Sequence, residues 1–169
     1  MYSFKKYFSL FIIFVVSFFS SYSIKNDFSK LTGKNNQWEN PPIIVNCYPA
    51  FMPDKRLRQA IDYWESKNFK IAFYEYEPIK AICKKEFVEG FILIKIARYD
   101  ELGDDTLAFT KRIAHYGIIK SSTIYMEFGT FNYPNLIEHE LGHALGLEHK
   151  EIEGHIMHPF YHLMGSDYY

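Results

Sequence analysis

The most constraining feature of this chain is the run His139-Glu140-Leu141-Gly142-His143-Ala144-Leu145-Gly146-Leu147-Glu148-His149. Two histidines four positions apart on a helix stand about 40° apart around its axis and one turn along it, so both imidazoles can reach one metal ion. Zinc that performs hydrolysis usually keeps three protein ligands and leaves a fourth position open. His149 is the candidate third ligand, provided the helix stops and the chain turns back toward its own histidines. Gly146 sits where such a turn needs positive φ. Glu140 neighbours the first histidine, where its carboxylate can take a proton from a zinc-bound water attacking a carbonyl and deliver it to the leaving amine. Two histidines and a glutamate at this spacing also occur on ordinary solvated helices, but the full pattern of three His, one Glu and one Gly at fixed offsets is much harder to reach by chance.

The 169 residues, 48% hydrophobic and 23% charged, suit one globular domain with a core of its own. The formal charge of −1, with no basic cluster interleaved with aromatics, gives no electrostatic case for a nucleic-acid partner. Lys5 and Lys6 precede an apolar run from Phe8 to Phe19, and Ser21 and Ser23 offer small residues at a cleavage point. That layout predicts a signal peptide over residues 1–23. The run falls short of the ~20 residues a membrane-crossing helix requires, so an uncleaved membrane anchor is the alternative. Cleavage removes two lysines and no acid, which leaves a mildly acidic, extracytoplasmic chain. Cys47 and Cys83 are then either one disulfide or two buried thiols, because sequence does not set the distance between their Cα atoms.

Residues 24–40 are polar, without an apolar period, and are expected to form a flexible leader ahead of a domain over 41–169. A strand is predicted from Ile43 to Cys47, between Pro41-Pro42 and Pro49. A helix follows with Asp54 as its N-cap, its buried stripe at Leu57, Ile61 and Trp64, and its end near Lys67. Further strands are predicted over Phe69–Tyr76, Phe91–Ile96, Thr106–Thr110 at an edge, and Ile118–Met126, about five in all. The Gly103-Asp104-Asp105 break offers carboxylate oxygens to calcium, although two acids in a glycine turn are ordinarily a solvated loop. After a loop over Gly129–Pro134, Asn135 and Glu138 resemble a capping box that starts the histidine-bearing helix.

The histidine run, followed by Met157, resembles the metzincin clan of zinc endopeptidases, and within it the matrixins, the matrix-metalloproteinase-like group. The spacing of eight from His149 to Met157, with Ile156 before it, Pro159 after it and Tyr161 four beyond, is similar to the matrixin Met-turn and pocket wall. The resemblance implies an α+β zincin-like domain with a twisted mixed sheet, two main helices and a very short C-terminal subdomain. It implies one catalytic zinc on His139, His143 and His149 with Glu140 as general base. Met157 would be a floor beneath the histidines, and Pro159 to Tyr161 would border a side-chain pocket. A protein or peptide substrate would bind extended along the edge strand.

The departures from the family pattern are local. Lys150 replaces a usual Ser and His158 a common Tyr, and His115 stands alone where a second zinc site would have several histidines. Cys47 lacks the neighbours of a propeptide cysteine switch. The residues after Tyr161 are too few for the family's final helix. His155, His158 and His162 are expected at the pocket rim or surface. The competing function is a non-catalytic, zinc-stabilised module that captures extended peptides.

Overall fold

A computed structural model describes residues 37–75, 79–98, 100–103 and 105–168, all within the unit Asn35–Tyr169. The expected signal peptide, most of the expected leader, Tyr76 and Asp104 lie outside them. The elements in chain order are β1 (Gln37–Trp38), β2 (Ile43–Asn46), α1 (Asp54–Ser66), β3 (Phe73–Glu75), α2 (Lys80–Cys83), β4 (Phe91–Ile96), β5 (Ala108–His115), β6 (Ile118–Met126) and α3 (Leu136–Ala144), with 3-10 turns at Thr130–Asn132 and Tyr161–Leu163. The architecture is α+β, as expected.

Six strands form one mixed sheet in the order β1-β6-β4-β2-β3, and β5 pairs with β6 off that path. All pairs are parallel except β5 with β6, which is antiparallel and leaves β5 as an edge. Alternation along the strands divides the sheet into two faces. Ile44, Ile92, Ile94, Ile124 and Met126 join the main core with Leu57, Trp64, Ile137 and Leu141 of the two long helices. Val45, Leu93 and Cys47 form a smaller cluster on the opposite face, with Ile82, Cys83 and Val88 packed against it. Cys47 and Cys83 are disulfide-bonded, their Cα atoms 5.5 Å apart, so the covalent alternative holds.

Several expected elements differ in extent. Gln37 and Trp38, placed in the flexible leader, pair with Ile118 and Ile119, which adds a sixth strand. Two residues in a polar context carry no period from which a strand could be read. Pro53, not Asp54, occupies the N-cap of α1; Asp54 is its first residue and accepts from Arg58 Nε at 3.0 Å. The strand expected over Phe69–Tyr76 is confined to Phe73–Glu75 among the described residues, because Phe69 packs edge-on against Trp64 at 5.1 Å instead of joining the sheet. The edge strand runs to His115, well past Thr110, through the charged pair Lys111-Arg112 that hides its period. It turns into β6 through Tyr116 and Gly117, both at positive φ (52° and 75°), the conformation of a type I′ hairpin turn.

Asn135 adopts φ 63° and makes no side-chain cap bond, so the expected capping box does not form. Glu138 is committed elsewhere. Both its oxygens accept from Arg56 of α1, at 2.6 and 2.5 Å, and Trp64 Nε1 donates to its carbonyl at 2.7 Å. These bonds dock α1 against α3. Gly142 permits the same contact from the other side, since a Cβ there would stand 2.4 Å from Met157 Sδ and 2.7 Å from Trp64 Cζ2.

Candidate metal centre

α3 ends one residue after His143, and its last carbonyls are satisfied in sequence order. Leu147 N donates to Gly142 O and Gly146 N to His143 O, both at 2.9 Å, with Gly146 at φ 105°. This is the six-to-one and five-to-two pairing of a Schellman turn, which requires positive φ at the residue Gly146 occupies. The turn aims the chain back, and His149 arrives beside the helix.

The three imidazoles converge. His143 Nε2 lies 3.0 Å from His139 Nε2 and 3.1 Å from His149 Nε2. Among the described residues, these three form a group able to hold a metal ion. Nitrogens sharing one tetrahedral zinc at ~2.0–2.1 Å stand about 3.4 Å apart, close to the spacing seen. The other ring nitrogens explain why a cation belongs there. His139 Nδ1 donates to Ile156 O and His143 Nδ1 to Leu147 O, each at 2.9 Å. With the proton held on Nδ1, both Nε2 atoms present lone pairs to each other, an arrangement that is repulsive until a cation sits between them. The donor set therefore fits zinc.

Burial favours the neutral, ligating form. His139 is pushed down to about 3, first by burial and then by the charge on His143, with its bond to Ile156 opposing. Burial lowers His143 to about 4, and it lowers exposed His149 as well. Glu140 moves the other way. Burial raises it to about 7, although Thr110 Oγ1 donates to its Oε2 at 2.6 Å and stabilises the carboxylate.

A cleft of about 640 Å³ runs over these groups, lined by Leu107 and by Ala108 to Thr110 of β5, by His139, Glu140, His143 and His149, and by Pro159, Phe160, Tyr161 and His162. The expected neighbours of the site are thus brought together: the edge strand on one side, Pro159 and Tyr161 on the other. Met157 is buried, 1% exposed, and packs against α3 at Gly142 without lining the cleft. His162 is an exposed rim residue, as expected. His155 and His158 are not at the rim or surface; they are 0% and 6% exposed. Each Nδ1 accepts a backbone N–H two residues on, from Met157 at 2.9 Å and from Phe160 at 3.0 Å, so both histidines shape the turn from within.

Three supporting residues were not readable from the motif. Trp38 Nε1 donates to Ala144 O at 2.9 Å, and Arg112 donates to His143 O at 3.0 Å and to Glu148 Oε1 at 2.6 Å. Together they cap the end of α3 where the ligand loop departs. Thr110 is the third, and the only sequence signal for it was its place on the edge strand.

A family model described as matrixin matches residues 49–169. A search among curated proteins finds no match.

Proposed function

Because the chain belongs to the matrixin family, whose members are zinc metalloproteases, we propose that it is an exported endopeptidase that hydrolyses peptide bonds in the cleft over His139, His143 and His149. The observation that carries this reading is the apposition of three Nε2 atoms, two of them with the opposite nitrogen tied to a carbonyl, beside a buried carboxylate in the same cleft. A zinc ion held by the three histidines supplies Lewis-acid polarisation of the substrate carbonyl and activation of the attacking water.

The remaining chemistry falls to the chain's own groups. Glu140 takes the proton from water at a carboxylate oxygen and returns it to the leaving amine, and burial, which raises its proton affinity, favours its role as the base. Thr110 orients that carboxylate through its 2.6 Å bond. Among the described residues the outer edge of β5 pairs with no other strand and is open to an extended peptide, so substrate binds as an added strand with one side chain directed toward Pro159 and Tyr161. No helix of the described residues is long and apolar enough to cross a membrane. Export rests on Lys5, Lys6 and the Phe8–Phe19 run, and N-terminal sequencing of the protein recovered outside the cell tests it: a retained Lys5-Lys6 would overturn cleavage.

Turnover of a quenched peptide library tests the activity. The purified protein should cleave, and both a chelator and Glu140→Ala should abolish cleavage. Protein that holds one zinc yet cleaves nothing beyond the Glu140→Ala control would instead be a peptide-capturing module.

A further inference from the structure

We propose that the segment Gly165–Tyr168 is a clamp that positions the metal ligand His139 through the Met-turn, with Tyr168 as its anchor. The inference rests on the metal reading above and adds to it a segment outside the histidine motif.

The connection runs through backbone. Ile156 O accepts the His139 Nδ1 proton at 2.9 Å, which fixes that ring's tautomer and direction. The same residue is held from behind, since Ile156 N donates to Asp167 O at 2.8 Å. Asp167 N in turn donates to Gly154 O at 3.2 Å, and Gly154 N to Leu163 O at 3.0 Å, so the tail pairs with the turn as a short parallel bridge between His155 and Asp167. An isolated bridge of this length has little stability of its own.

Side chains supply what the bridge lacks. The Tyr168 ring meets Trp64 edge-on at 5.4 Å and Phe69 at 6.1 Å, while Tyr63 Oη donates to Ser166 O at 3.0 Å. Trp64 is fully buried and bonds the Glu138 carbonyl one residue before His139. The clamp therefore grips the ligand from two directions, through α3 by way of Trp64 and through the turn by way of Ile156. Close approach is built in at Gly165, where a Cβ would stand 2.3 Å from Gly154 O.

The test is zinc affinity by chelator competition on the full chain, with the visible spectrum of the cobalt(II)-substituted protein as a second readout. Tyr168→Ala and Gly165→Ala should each weaken zinc by about tenfold and alter the cobalt spectrum, the range for loss of a group that orients a ligand. Tyr168→Phe, which keeps the ring, should restore both. Leu93→Ala removes core on the opposite face of the sheet and should lower stability while leaving affinity and spectrum unchanged. Wild-type affinity and spectrum in folded Tyr168→Ala and Gly165→Ala would overturn the clamp, as would an equal loss of affinity in Leu93→Ala. Failure of the unaltered protein to bind zinc would instead overturn the metal reading itself.

Discussion

The two faces of the sheet are held in different ways. On the inner face, α1 and α3 pack over Ile44, Ile92, Ile94 and Ile124, and the metal centre sits on this layer. Its geometry depends on side chains reaching backbone carbonyls far away in sequence: Trp38 to Ala144, Trp64 to Glu138, Arg112 to His143 and His139 to Ile156. On the outer face a small cluster around Val45 and Leu93 is closed by the Cys47–Cys83 bond, and beside it Phe109 stacks on Tyr125 under Lys111. Lys95 Nζ donates to Lys85 O there, its pKa lowered by burial, and Thr123 Oγ1 donates to Glu86 O. One covalent link does on that side what a distributed hydrogen-bond network does on the other. Function should then be sensitive to many residues on the inner face, whereas the outer face should affect stability alone.

The largest effect is expected at the middle ligand. His143→Ala should abolish stoichiometric zinc binding and reduce turnover by more than about a hundredfold. Since the substitution also removes one of the opposed lone pairs, the metal-free variant should unfold in urea no more readily than the metal-free parent. A marked loss of metal-free stability would mean that His143 holds the fold and not only the ion.

Cys83→Ser is the matching probe of the outer face. Removing a disulfide that spans 36 residues should cost about 2–5 kcal/mol in denaturant unfolding. Zinc affinity of the folded fraction should not move, and a tenfold loss would break the separation of the two faces.

Metal-free stability should also depend on pH in two opposing ways. His139 and His143, held down to about 3 and 4, favour the folded state fully above pH ~6.5 and progressively less as pH falls toward 3. Glu140, raised to about 7, favours the folded state below pH ~4.5 and loses that contribution as pH rises through 7. Glu140→Gln should remove the second trend, so the stability gain from pH 5 to pH 8 in urea titrations grows by on the order of 3 kcal/mol. An unchanged profile would show that the carboxylate is not buried without metal.

The smallest of these effects is at the edge strand. Thr110→Val removes one charge-assisted hydrogen bond, on the order of 1.5–3 kcal/mol, and should lower kcat about tenfold with KM unchanged. Thr110→Ser should restore it. A change confined to KM would assign Thr110 to substrate binding instead.

The motif was legible because its physics is local. Helical spacing pairs His139 with His143, and a glycine at positive φ returns the chain to His149. The bounds of β4 and β6 were readable to the residue for the same reason, since β4 is a dense apolar run and β6 a β-branched and aromatic one, each buried over consecutive residues. What sequence did not show depends on partners elsewhere. Asn135 and Glu138 look like a cap until Arg56 claims the glutamate. His155 and His158 look like rim residues because their burial comes from the tail and turn folding around them. Gln37–Trp38 becomes a strand only because β6 is there to pair with it.

The central claim is that three imidazoles meet on one zinc with a coordination position left open. X-ray absorption at the zinc edge, on protein loaded with one equivalent, tests it most directly. The expected result is one tightly held zinc with three imidazole rings at ~2.0–2.1 Å and one further light donor. Four imidazoles, a sulfur donor, or no stoichiometric zinc would contradict it.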